Sequence, residues 1–103
     1  MITQSILKQA KALIDHPSKW TTIVGARDSN GQQVKITDPT ATCWCVIGAI
    51  GKVMSTPYPR EMLMVQNLHQ YKGISLDLYN DLHGRTHAEI MEMFDDLIER
   101  APQ

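Results

Sequence analysis

Two cysteines flank a tryptophan in residues 42–49, TCWCVIGA, and they are the side chains of this chain best suited to metal binding or nucleophilic chemistry. Thiolates and imidazoles are the usual ligands of structural zinc. The four side chains available for a Cys2His2 site are Cys43, Cys45, His83 and His87. On a helix, however, side chains two residues apart point in nearly opposite directions, so both thiols would not face one ion. Because we expect this segment to be helical, the sequence predicts no metal site.

The second chemistry open to this segment is nucleophilic catalysis. Cys45 would be the nucleophile, with His83 or His87 as its base. Asn80 or Asp81 would orient the imidazole, as the third member of a triad does. Activated cysteines often lie at a helix N-terminus, where the helix dipole and free N–H groups stabilise a thiolate. The predicted helix begins about two turns before Cys45, so a small cysteine hydrolase or transferase is the alternative interpretation and not the preferred one.

The third interpretation of the segment is packing. Free cysteine is commonly buried as a small apolar residue. A glycine inside a helix costs about 1 kcal/mol relative to alanine, so Gly48 and Gly51 indicate a close contact that larger side chains would block. One side of the predicted helix carries mostly small residues at helical spacing: Ala41, Cys45, Gly48, Ala49 and Lys52. Packing is therefore the favoured role of this segment.

The elements that must position these residues are mainly helices. Asp38 followed by Pro39 is typical of a helix start, with a capping carboxylate and a proline at the first helical position. Thr86 and Glu89 fit a capping box at the start of the last helix. Apolar residues at helical spacing define the remaining segments. The four main helices are expected at about residues 2–14, 39–54, 59–71 and 87–99, with a short helical segment at 75–82.

One β-hairpin completes the predicted fold. Residues 20–26 and 34–37 are rich in β-branched and aromatic side chains, and Asn30-Gly31 between them tolerates the positive φ of a tight turn. An isolated hairpin is only marginally stable in water, so we expect it to pack against the helices. The sequence thus predicts a mostly helical α+β fold, a single compact domain over residues 1–103 with about four main helices and one β-hairpin.

Composition limits the classes of partner. The net charge is −1, with nine Lys or Arg against six Asp or Glu in residues 1–86 and one against five in residues 87–103. Neither excess approaches the basic surface of a nucleic-acid-binding protein. No apolar run approaches the roughly 18 residues that span a bilayer, and Lys8 and Lys11 interrupt any signal-like N-terminal segment. We therefore expect a cytoplasmic protein with free thiols, no nucleic-acid or membrane partner and no cofactor.

The densest polar cluster of the chain is residues 79–89, YNDLHGRTHAE. Part of it has an evident structural role as a joint between two helices, in which Gly84 supplies an unusual φ and the capping box follows. The other polar residues are predicted to form a binding surface, in which Arg85 beside a helix N-terminus could hold an anion. The predicted binding residues are Asn80, Asp81, His83, Arg85 and His87.

Two motifs of the chain occur together in a known family. WCVIGA, residues 44–49, and YND, residues 79–81, followed by GRT, residues 84–86, resemble a small uncharacterised family of bacteria and their phages. That family combines a WCxxGA motif with a WND-like motif and a GRT-type helix start. The resemblance covers about residues 22 to 98, and Tyr79 stands where the family is expected to have tryptophan. It implies no established activity.

The occurrence of this family in phages favours an accessory role. The resemblance thus implies a compact accessory protein of a phage or mobile element that acts on a host component. We therefore expect a non-catalytic protein-binding module whose partner is a protein, with residues 80–87 and the neighbouring acidic last helix as its contact surface.

Overall fold

The computed structural model describes residues 1–103 and contains five α-helices, one 3₁₀ helix and two small antiparallel sheets. In chain order the elements are α1 (Gln4–Leu13), the 3₁₀ helix (Pro17–Lys19), β1 (Ala26–Arg27), β2 (Cys43–Trp44), α2 (Val46–Met54), α3 (Pro59–Val65), β3 (Gln70–Tyr71), β4 (Ile74–Ser75), α4 (Leu76–Asp81) and α5 (His87–Arg100). The predicted fold class, mostly helical α+β with four main helices, is confirmed.

The core lies between α1, α2 and α5. α1 packs against both other helices, and each contributes its apolar face, with six consecutive residues of α2, 46–51, all buried. The 21 buried apolar residues form one cluster, so the chain has a single hydrophobic core. The radius of gyration is 12.4 Å, close to the ~13 Å expected for a domain of about 100 residues. No helix combines the length and apolar character needed to cross a membrane.

Helix starts follow the local signals in most cases. The Thr86 hydroxyl accepts the Glu89 amide at 3.2 Å and the Glu89 carboxylate accepts the Thr86 amide at 2.9 Å, so the predicted capping box of α5 is confirmed. The bonds from the Thr86 amide and hydroxyl lower the pKa of the Glu89 carboxyl. The Ser75 hydroxyl caps α4 by accepting the Leu78 amide. These caps satisfy backbone donors that the first turn of a helix leaves free.

The predicted long helix over residues 39–54 is wrong in its first half. α2 begins only at Val46, and Cys43–Trp44 form strand β2. The Asp38 carboxylate accepts the amide of Thr40 at 2.8 Å and its hydroxyl at 2.7 Å, so it closes a local turn and caps no helix. Thr, Cys and Trp favour extended backbone when a strand partner is present, and that pairing outweighs the Asp-Pro signal.

The predicted hairpin forms only in part, because across its turn a single antiparallel bridge joins Arg27 and Gln33, and the Val34 amide donates to the Ala26 carbonyl at 3.1 Å. β1 pairs with β2 in the register Ala26↔Trp44 and Arg27↔Cys43, and residues 34–37 form no strand. The expected tight turn does form, with Gly31 at φ 79° and its amide 3.0 Å from the Asp28 carbonyl. The regular hairpin of the structure is formed by β3 and β4. The third helix was predicted to run to residue 71 but ends at Val65, and β3 occupies the last two positions of the predicted helix. The two turn residues of the β3–β4 hairpin, 72 and 73, both have positive φ, as a type I′ turn requires.

Candidate functional site

Asn80 is the most deeply buried polar residue, with 1% of its surface exposed, and all of its side-chain capacity is used. Its Oδ1 accepts the Trp20 indole N–H at 2.9 Å and the Val46 amide at 3.0 Å. Its Nδ2 donates to the Thr21 carbonyl at 3.2 Å and to the Asp81 carboxylate at 2.7 Å. An amide side chain offers two donors and two acceptor sites, so Asn80 is fully satisfied. It joins α4 to the start of α2 and to the loop after the 3₁₀ helix.

The loop at residues 21–24, here called the Ile23 loop, is fixed from two sides. Asp81 accepts the Ile23 amide at 2.9 Å. On the other side, Arg27 donates from Nε to the Thr21 hydroxyl at 3.0 Å and from an η nitrogen to the Thr22 carbonyl at 3.3 Å. The side chains of α4 and β1 therefore determine the conformation of this loop.

Ile23 itself has an unusual backbone conformation. Its φ is +77°, which is strained for a β-branched residue, and its side chain is 71% exposed. Strain of this kind costs about 1–3 kcal/mol and persists only where the surrounding structure enforces it. Here the enforcing contacts are the hydrogen bonds of Asp81, Asn80 and Arg27. The structure thus holds an apolar side chain outward in a conformation that the residue alone would avoid.

Two further apolar side chains are exposed beside the residue that holds this loop. Leu78 is 60% exposed and Leu82 is 47% exposed, three residues before Asp81 and one residue after it. Neither contributes to the core. We refer to Ile23, Leu78 and Leu82 together as the Ile23 surface. Its three side chains come from two elements, a loop and the end of α4, that Asp81 ties together.

Arg85 and His87 bind neighbouring segments of the chain. The Arg85 guanidinium donates to the Tyr79 carbonyl at 2.8 Å and to Glu89 at 2.9 Å, and its carbon lies 3.6 Å from the Tyr79 ring centroid. The His87 Nε2 is 2.7 Å from the Ile14 carbonyl oxygen, which fixes it as the protonated nitrogen. Arg85 therefore stabilises the joint between α4 and α5, and His87 connects α5 to the end of α1.

The five predicted binding residues thus lie in one region but differ in how free their side chains are to contact a ligand. Asn80, Asp81, Arg85 and His87 each make hydrogen bonds within the chain, whereas His83 is exposed in the turn after α4. The residue that sequence reasoning missed is Ile23. No local signal identifies it, because its positive φ depends on Asp81, 58 residues away in the chain.

Cys45 lies at the N-cap of α2, so the expectation that it sits two turns inside a helix is wrong. Its Sγ accepts the Gly48 amide at 3.2 Å. Burial raises the pKa of the Cys45 thiol, and this effect outweighs the opposing hydrogen bond from Gly48. Neither His83 nor His87 forms a hydrogen bond with this sulfur. At neutral pH the group is a buried thiol that caps a helix.

The predicted packing role of the small residues is supported directly at Gly48. A Cβ added there would lie 2.1 Å from the Gly25 carbonyl oxygen, which also accepts the Cys45 amide at 3.1 Å. At Gly51 an added Cβ would lie 2.5 Å from the Ile36 Cδ1 atom. The start of α2 therefore packs backbone against backbone on the residues before β1, where no larger side chain fits.

The two cysteines are both free and differ in environment. Cys43 is half-buried in β2, and its sulfur is 3.9 Å from the Arg27 carbonyl oxygen. No group of three or more His, Cys, Asp or Glu side chains is arranged to hold a metal ion. The four side chains considered for zinc are accordingly spread over β2, the N-cap of α2, the turn after α4 and the start of α5.

The fold and this network define a small α+β domain in which an asparagine–aspartate pair joins α4 to a strained loop. The chain belongs to DUF6197, a family of unknown function whose model matches residues 2–100. Membership in an uncharacterised family was the expectation from the two motifs, and it is confirmed. No curated protein and no solved structure matches the chain significantly.

Proposed function

We propose that this protein is a non-catalytic protein-binding module and that the Ile23 surface is its contact surface. The observation that carries the proposal is Ile23 itself: an apolar side chain, 71% exposed, held at φ +77° by hydrogen bonds from two sides. Strained and over-determined conformations are concentrated at functional sites. The Ile23 side chain does not contribute to the hydrophobic core, because most of it is exposed to solvent.

Rigid presentation favours association. Binding costs free energy for every loop and side chain that must be ordered, and a loop that is already fixed avoids much of that cost. Interfaces also depend on a few apolar or aromatic anchors surrounded by polar residues. Ile23, Leu78 and Leu82 provide such anchors, and the exposed His83 lies in the next turn of the chain.

The polar motif at residues 80–81 has an indirect role in this proposal. Asn80 and Asp81 hold the Ile23 loop, so they determine the shape of the contact surface without touching a partner. Arg85 supports the same end of α4 through its bond to the Tyr79 carbonyl. This proposal differs from the sequence prediction, in which residues 80–87 themselves contact the partner. The sequence resemblance supports an accessory protein of a phage or mobile element that acts on a host component, and a cytoplasmic location is the separate expectation from the sequence.

Affinity capture with matched variants tests the proposal. The bait proteins are the wild type, Ile23→Ser and Leu82→Ser, with Tyr58→Ser as a control, because Tyr58 is 67% exposed at the start of α3. Each bait is first checked for an unchanged melting temperature. We expect one protein to bind the wild type and the Tyr58 variant in equal amounts and to be lost with both Ile23-surface variants. A partner set that is the same for all four baits would refute the proposal.

A second candidate, the cysteine hydrolase or transferase, is supported by one observation. Cys45 at the N-terminus of α2 lines a cavity of about 140 Å³ that also contains Arg60. The alkylation rate of Cys45 in the native protein, compared with that of the urea-unfolded chain, distinguishes the two proposals. Protection of more than about 100-fold is expected for a buried thiol of raised pKa. Rapid modification at neutral pH would make the enzyme the leading proposal.

A further inference from the structure

A cavity between α2, α3 and α4 contains no residue of the Ile23 surface and does not include Cys45. Its volume is about 100 Å³, and its apolar lining consists of four side chains, Ile47, Leu63, Met64 and Leu76. Two of its lining residues, Arg60 and Met64, are exposed, so the cavity opens to solvent. Because an apolar cavity of about 150 Å³ holds a benzene molecule, this one accommodates a group of about three or four carbon atoms.

The two charged side chains of this cavity, Arg60 and Asp77, bind each other and each keeps an unused side. Arg60 Nε donates to Asp77 Oδ2 at 2.7 Å, whereas the two η nitrogens of Arg60 and the other oxygen of Asp77 form no hydrogen bond. The pair is neutral overall, so the cavity favours neither a simple anion nor a simple cation. A small ligand that carries both charges matches both unused sides, with a carboxylate on the guanidinium and a cation on the aspartate.

His69 supplies a third polar group. Its Nδ1 atom is shielded from solvent and has no hydrogen-bond partner, although the large majority of buried polar side-chain atoms have one. The His69 carbonyl accepts the Leu76 amide at 3.1 Å, and this bond fixes the residue in the cavity wall. In a neutral imidazole one ring nitrogen is an acceptor. A ligand with an N–H donor would therefore satisfy a buried atom that the chain itself leaves without a partner.

We propose that this cavity binds a small aliphatic α-amino acid. The carboxylate lies on the η nitrogens of Arg60, the ammonium group donates to Asp77 and to His69 Nδ1, and a side chain of about three or four carbon atoms fills the apolar part. Both charged groups of an α-amino acid are attached to one carbon atom, so they are as close together as the ion pair that they meet. A carboxylate without an amino group would face Asp77 uncompensated, and an amine without a carboxylate would face Arg60.

Methyl NMR of the purified protein, with ¹³C-labelled methionine methyl groups, tests the proposal with L-valine as the probe. We expect saturable shifts of the Met64 signal. Two matched compounds each remove one charged group: 3-methylbutanoate lacks the amino group and 2-methylpropylamine lacks the carboxylate. Each should bind about threefold or more weakly than L-valine, because it loses one ionic contact.

Substitutions of the ion pair test the same assignment from the protein side. Arg60→Gln and Asp77→Asn should each weaken L-valine binding by about threefold or more. Lys11→Gln is the matched control, because it breaks another surface ion pair, of 2.6 Å to Asp95, outside the cavity. It should bind L-valine as the wild type does. On saturation with L-valine, the ¹⁵N signal of His69 Nδ1 should move, because this atom gains a donor.

Three results would overturn this proposal. They are no saturable Met64 shift with L-valine, an equal affinity for L-valine and either matched compound, and wild-type affinity in both ion-pair variants. An unmoved His69 Nδ1 signal would contradict the contact assigned to that atom. The assay needs neither a protein partner nor a reactive Cys45, so its outcome is independent of the affinity capture and of the alkylation experiment.

Discussion

Replacing Asn80 by alanine is expected to destabilise the protein far more than a typical single substitution. The change removes the acceptor of two donors, the Val46 amide and the Trp20 indole, and the donor for the Thr21 carbonyl. Val46 is fully buried, so its amide would find no water. An unpaired buried group costs about 1–3 kcal/mol. Because Trp20 is half-buried and regains water in part, the sum is about 3–5 kcal/mol.

Urea and thermal unfolding measure this loss. For a domain of this size, 1 kcal/mol corresponds to roughly 4–8 °C in melting temperature, so a fall of about 12–40 °C is expected. Asn30→Ala, in the exposed turn before β2, is the control and should change the free energy of unfolding by less than about 0.5 kcal/mol. A loss below about 1 kcal/mol for Asn80→Ala would show that the network around this residue does not hold α4, α2 and the Ile23 loop together.

Three further predictions test other parts of the structure. Gly48→Ala should lower the free energy of unfolding in urea by about 2 kcal/mol, because its Cβ would lie 2.1 Å from the Gly25 carbonyl oxygen. Gly51→Ala should lower it less, because its Cβ would meet the movable end of Ile36 and approach backbone only at 2.9 Å, the Thr56 carbonyl oxygen. Equal losses would contradict this. Ile23→Gly should raise the free energy of unfolding by about 0.5–1 kcal/mol by relieving the positive φ, whereas a fall would argue against strain. The hydrogen bond that Tyr71 donates to Asp96 raises the pKa of the Tyr71 hydroxyl. The stabilising contribution of this bond is thus complete below pH ~10 and is lost as the pH rises further. Above that pH the free energy of unfolding of Tyr71→Phe should fall less steeply than that of the wild type. Parallel pH curves of the two proteins would refute the assignment.

Local signals in the sequence predicted helices well where nothing competed with them. The capping box at Thr86 and Glu89 occurs as expected, because a cap needs only neighbours within one turn. Asp38-Pro39 carries an equally strong signal and failed. Its carboxylate closes a turn on Thr40, and the residues that follow pair with β1 instead of forming a helix. A helix-start signal depends only on neighbouring residues, so it does not reveal that this segment pairs with a strand 16 residues away in the chain.

The candidate site was predicted only in part for a similar reason. Residues 80 and 81 were recognisable as a polar pair, but their sequence does not reveal that they bind the loop at Thr21 and Ile23. Asn80, which was expected to contact a ligand, is buried, and its side chain donates to the Thr21 carbonyl of the Ile23 loop. Cys45 shows the same dependence on context. Its place at a helix N-terminus would favour a thiolate, whereas its burial favours the neutral thiol.

The central claim is that Ile23 contacts a protein partner, and site-specific photo-crosslinking tests it most directly. A photoreactive phenylalanine analogue is introduced at position 23 or, as a control, at position 58, where Tyr58 is 67% exposed at the start of α3. Both proteins are irradiated in a lysate of the cells in which the protein is naturally produced, and the products are identified by mass spectrometry. The account predicts one discrete adduct from position 23 that is absent from position 58 and disappears when Asp81→Ala releases the loop. No adduct from position 23, or the same adducts from both positions, would contradict it.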